Sequence, residues 1–198
     1  MFRRTTGIGL AALALTGSVV ATTSVAQAAT KCVTGTWKLT SSVQKADQGS
    51  GLASTHIVLS GGAGAVTKIT SAGAVTFTFT GSQKLTESGS TLLGKLAGWA
   101  KYDKVLTFKA AVPGGATGTI SAKHGTAAGN ATLTVVTTQP AHIPTYGPKA
   151  LAPLLNSGQA SVIPVNMAFT CTKTALHLHG NISLQGVTAV ADWWYRRA

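Results

Sequence analysis

The chain has 198 residues, with 16 Lys and Arg against 4 Asp and Glu, a formal net charge of +12 and two cysteines. Four scattered acids leave little from which to build the paired carboxylates of a glycosidase or an oxygen-rich calcium site. The lysines are dispersed singly, without interleaved aromatics or a recognition motif, which argues against nucleic acid as the partner.

Arg3 and Arg4 open the chain, Ile8 to Val20 is apolar, and Ala26-Gln27-Ala28 closes it with small residues. Positive start, apolar run and A-x-A site are the three parts of a secretory signal. Residues 1–28 are therefore expected to be a cleaved signal peptide, and 29–198 a single secreted, extracellular domain. Without Arg3 and Arg4 the balance is 14 against 4, a net charge of +10. No later stretch is apolar for the roughly 20 residues of a spanning helix, so no transmembrane segment is expected after cleavage. In an oxidising compartment Cys32 and Cys171 read as a disulfide. Closing so long a loop is worth about 4–5 kcal/mol by the chain-entropy argument.

Period-two alternation dominates the mature chain. In Val33 to Thr40, Val33, Gly35, Trp37 and Leu39 share one face and Thr34, Thr36, Lys38 and Thr40 the other, as on a half-buried strand. The pattern recurs over Val75 to Thr80, Val105 to Val112, Thr132 to Val135 and Leu176 to His179. Glycines punctuate the gaps, and many short strands with frequent turns indicate an all-β barrel or, alternatively, a β-sandwich. Ser90 to Ala100 suggests a helical turn or two, weakened by Gly94 and Gly98. Gln139 to Pro164 holds five of the six prolines. It reads as a long connection, with a short helix near Ala150 to Leu155, serving as a lid or as a cover for an open end.

Gly35-Thr36-Trp37 opens the first strand, and Trp193-Trp194-Tyr195-Arg196-Arg197 forms the last. A G-x-W opening strand with an arginine on the closing strand resembles the calycin superfamily, above all secreted bacterial lipocalin-like proteins of unknown function. Cys32 before Gly35 and Cys171 before Leu176 fit the layout of those proteins across the mature chain. The resemblance implies an antiparallel up-and-down barrel. It places Trp37 on the closed floor, Gly35 beside it, and Arg196 or Arg197 over the indole ring. No activity comes with it, and no cofactor is expected. The polar residues that hold biotin in the related avidin-like proteins have no counterpart at Thr40-Ser41-Ser42.

By strand parity Trp37, Phe77, Phe79, Phe108, Leu133, Val135 and Phe169 face inward. They either pack a solid core or line a pocket for a small apolar ligand, since barrels of about eight strands lie at that boundary. His177 and His179 project from one strand face about 7 Å apart. They read as solvated residues opposite Leu176 and Leu178. As metal ligands they need a third donor, with His56, His124, His142 or Glu87 as candidates. No G-x-S-x-G elbow or phosphate-binding loop is present, and an enzyme is not expected. Two functions remain: a carrier of a small apolar ligand, and a basic protein whose filled barrel presents positive charge to an anionic cell-envelope polymer.

Overall fold

The computed structural model describes residues 32–48, 55–91, 94–140, 144–158, 160–161, 163, 165–184 and 187–198. The expected signal peptide lies outside them, as do His142 and Pro164. In chain order the elements are β1 (Gly35–Gln48), β2 (Thr55–Gly61), β3 (Val66–Ile69), β4 (Ala74–Thr78), β5 (Leu85–Thr91), β6 (Gly94–Asp103) and β7 (Val105–Ala111). There follow β8 (Thr117–Ala122), β9 (Ala128–Gly129), β10 (Thr132–Gln139), β11 (Tyr146–Ala150), α1 (Leu151–Asn156) and β12 (Ala160–Ser161). The chain ends with β13 (Asn166–Cys171), β14 (Ala175–Leu184) and β15 (Val187–Arg197).

Every described strand pairing is antiparallel, and β1, β3, β4, β7, β8, β13, β14 and β15 close into an eight-stranded barrel through the β1–β3 pairing. In that ring each strand neighbours the next in chain order, so the barrel runs up and down and the sandwich alternative falls away. Three insertions interrupt it: β2 after β1, β5–β6 after β4, and β9 to β12 after β8. Up-and-down order puts all three at the same end. There they assemble a second sheet, β2-β5-β6-β10-β11, on the far half of β1.

The strands expected from alternation are present. Ser90 to Ala100 corrects the sequence reading, because the described residues of this stretch, 90–91 and 94–100, belong to paired strands β5 and β6 rather than to helical turns. Leu96, Gly98, Ala100 and Tyr102 point inward with period two, and glycine is placed there by close approach. A Cβ on Gly98 would collide with the Val136 carbonyl oxygen and Glu87 Oε2. The proline-rich segment is less loop-like than expected, since it carries β11 and β12 around the short helix α1.

The aromatic core fills the barrel from its other end. Trp37, Phe77, Phe79, Phe108 and Phe169 are buried, together with Trp193 and Tyr195. Phe77 stacks on Phe79 and Phe108 and meets the edge of Trp193, with centroids 5.8–6.0 Å apart. That geometry adds about 0.5–1.5 kcal/mol per pair beyond burial. Beneath this layer Trp37 donates its indole N–H to the Val33 carbonyl (2.8 Å). The Cys32–Cys171 disulfide joins the lead-in to β1 with the end of β13, its Cα atoms 6.1 Å apart.

The cation over Trp37 is Arg197, 4.3 Å from the ring centroid. This settles the choice between the two arginines against Arg196, which lies exposed on the outer face with Trp194. Arg197 also donates Nε–H to the Lys173 carbonyl (2.7 Å) and Nη2–H to the Cys32 carbonyl (3.2 Å), tying the last strand to the lead-in to β1 and to the β13–β14 turn. Gly35 has a φ of 141°, and a Cβ there would strike the guanidinium. The glycine of G-x-W therefore makes room for the arginine.

Arg197→Ala is expected to lower stability in urea denaturation by about 2 kcal/mol, through the lost cation–π contact and charge-assisted hydrogen bonds. Arg196→Ala, at an exposed position, is expected to stay within about 0.5 kcal/mol of the parent. Equal losses at the two positions would refute the assignment.

Candidate functional sites

The filled barrel gives way to a cavity of about 280 Å³ at the end that carries the insertions. Its floor is buried: Ala100 and Tyr102 of β6, Leu133 of β10 and Ile182 of β14, with Gln44 and Glu87 among them. Its rim is half-buried, formed by Ile57, Leu59, Val135, Tyr146 and Ala189. Tyr102 packs between Phe79 and Trp193, at 5.1 and 6.3 Å, so one aromatic layer separates the solid half of the molecule from the hollow half.

Of the seven inward residues expected from parity, only Leu133 and Val135 line this cavity. Trp37, Phe77, Phe79 and Phe169 are packed core, and Phe108 borders a second cavity of about 220 Å³ beside Asn156 and His124. The correction has a topological cause. The hollow belongs to the inserted sheet and the far halves of β1, β14 and β15, whereas the aromatics sit in the strands of the closed ring or, for Phe79, directly after β4.

Two polar groups that the sequence reading did not place inside stand in this apolar lining. Gln44 is 2% exposed and Glu87 7% exposed. The Gln44 side chain bonds to Tyr102, yet its Nε2 has no partner. Glu87 reaches across Gly98 toward Thr137 on β10, where its side chain is hydrogen-bonded, and its Oε2 is left unpartnered. Burial raises the Glu87 carboxyl above the ordinary carboxylate value, against the lowering effect of the Thr137 bond. Burial likewise pushes the Tyr102 hydroxyl up to about 12, keeping it protonated and able to donate. Trp193 Nε1 is a further buried donor without a partner.

A second constellation lies on the outer surface. His177 and His179 of β14 do not stand alone there: Asp192 of β15 presents one carboxylate oxygen, Oδ1, 2.8 Å from both His177 Nε2 and His179 Nδ1. Burial works to raise this carboxyl, but the hydrogen bonds and charge of His179 and His177 carry it below the ordinary value. None of the described third-donor candidates reaches the pair. His56 is bonded to Asp47 at 2.6 Å, His124 borders the smaller cavity and Glu87 is inside. The third member was legible in the hairpin register, since Leu184↔Val187 continues directly to His179↔Asp192.

Because the folded protein holds a proton on Glu87 more tightly than the unfolded chain does, this group's contribution to stability falls as pH rises from the unfolded value through the folded one. Glu87→Gln keeps the shape and removes the titration. In urea denaturation between about pH 4 and about pH 8, the variant should gain on the parent as pH rises, with the smallest difference at the acid end. A difference that does not vary with pH would refute the buried, proton-retaining carboxyl.

Comparison with protein-family models, with curated proteins and with solved structures finds no match, so the chemistry of both constellations rests on their own geometry.

Proposed function

We propose that the protein is a secreted, lipocalin-like carrier that holds a small, largely apolar molecule in the cavity above its aromatic layer. The observation that carries this reading is the pair of unpartnered polar atoms, Gln44 Nε2 and Glu87 Oε2, buried in otherwise apolar walls. Leaving such a group unsatisfied costs about 1–3 kcal/mol, and native interiors rarely leave one so. Apolar walls with a few convergent polar groups are the general form of a small-molecule site, although a volume of about 280 Å³ falls just below the usual range of about 300–1,000 Å³. Gln44 offers a donor. Glu87 offers an acceptor, and once ionised above its raised pKa it would repel a second carboxylate. The ligand that fits is an apolar body with a neutral head that both donates and accepts, such as a primary amide or an alcohol.

The positive surface supports a second reading, a basic protein of the cell envelope that meets an anionic polymer. Lys38, Lys45, Lys68, Lys84, Lys95, Lys104, Lys109 and Lys149 are all exposed, on strands and turns around the molecule. That spread favours solubility over a single docking face.

Native mass spectrometry of protein purified from its own secretion medium should show a reproducible small adduct. In calorimetric titration, short apolar amides and alcohols should bind, and matched carboxylates should bind at least tenfold more weakly. Leu59→Trp, which narrows the rim, should abolish the binding. Apo protein that takes up neither class would overturn the carrier reading.

A further inference from the structure

We propose that His177, His179 and Asp192 form a surface binding site for a divalent transition-metal ion, with Zn²⁺ as its simplest occupant. The proposal is independent of the cavity, which lies on the other face of the same strands. Alternate residues on β14 place the two imidazoles on one side of the strand, and the antiparallel register sets Asp192 directly opposite His179. One donor atom from each of the three residues lies within 4.8 Å of the others. An ion at the usual 2.0–2.2 Å from imidazole nitrogen and carboxylate oxygen fits among them with small side-chain movement.

The surroundings hold these donors in place. Trp194 lies opposite His177 in the register and stacks on its ring, centroids 5.2 Å apart and planes 5° from parallel. On the inner face Leu176 and Leu178 are buried, at 1% and 0% exposure, so the strand that carries both histidines is anchored in the core. The three side chains remain open to solvent, at 36%, 51% and 29% exposure, so an ion needs no passage to reach them.

The donor set selects the class of ion. Two imidazoles and one carboxylate suit Zn²⁺, Cu²⁺, Ni²⁺ or Co²⁺, whereas Ca²⁺ and Mg²⁺ ask for a shell of oxygens that one aspartate cannot supply. Without an ion, each imidazole gives an N–H to the shared Oδ1. With the ion bound, the nitrogens facing it carry lone pairs, and the proton of each neutral ring moves to its far nitrogen. Three protein ligands leave the fourth tetrahedral position to water or to a donor on another molecule.

The test is calorimetric titration of Zn²⁺ into untagged, chelator-treated mature protein, since a histidine tag would mask the site. One ion per chain is expected. His177→Ala/His179→Ala should abolish the heat, and Asp192→Asn should weaken binding at least tenfold. Thermal unfolding of each variant in chelator, close to that of the parent, separates lost ligation from lost fold. Cu²⁺ gives a second readout: it should quench tryptophan fluorescence, and Trp194→Phe should remove most of the quenching while leaving one Zn²⁺ per chain. No heat above the double-alanine variant, or an Asp192→Asn protein that binds as tightly as the parent, would overturn the site.

Discussion

β1 pairs with β15 from Trp37 to Lys45, but on its other edge it serves two strands in turn. Gly35 to Lys38 pair with β3 and close the barrel, and Ser42 to Gln48 pair with β2 and found the inserted sheet. Between them the register against β15 slips at Leu39/Ser41. A bulge adds one residue, bends the strand and reverses the faces beyond it. Trp37 and Leu39 point inward before it, and Ser42, Gln44 and Ala46 after it. The same irregularity therefore opens the barrel edge to a second sheet and turns Gln44 into the space that results.

The bulge also explains what could and could not be read from the chain. Alternation found the strands around Trp37, Phe77, Leu106 and Leu178, because one face of each packs against core while the other carries threonine, lysine or histidine. It failed at Gln44, since the parity set by Trp37 puts Val43 inside and Gln44 outside unless the extra residue is known. It failed at Glu87 for another reason. Thr86, Ser88 and Ser90 alternate with Leu85, Glu87 and Gly89, so β5 shows almost no apolar signal. A buried glutamate on such a strand is legible only once Gly98 and Thr137 are seen beside it. Arg197 could have been chosen over Arg196 by continuing the parity of Trp193 and Tyr195.

The two ends of the molecule differ in what they contribute. The floor joins a disulfide worth about 4–5 kcal/mol, the Arg197–Trp37 contact and a continuous aromatic stack. The hollow end leaves two buried polar atoms unpartnered, at about 1–3 kcal/mol each. These magnitudes are comparable, so the stabilised floor can offset an upper half shaped for something other than stability. A chain with only four acids also places them sparingly. One is buried in the cavity and another is shared by two histidines.

The β14–β15 hairpin shows how one stretch of chain serves two chemistries without conflict. Its inner residues Leu176, Leu178, Ala191, Trp193 and Tyr195 build the core, and further along Ile182 and Ala189 line the cavity. Its outer residues His177, His179, Asp192 and Trp194 form the polar cluster. Successive side chains on a strand point to opposite faces, so the sheet itself stands between the two groups. A one-residue slip in this hairpin would bury the histidines and expose Trp193. The burial of Leu176, Leu178, Trp193 and Tyr195 holds the register against that slip. The apolar residues that make the core thereby also set His179 opposite Asp192, and the geometry of the outer cluster is a consequence of the packing beneath it.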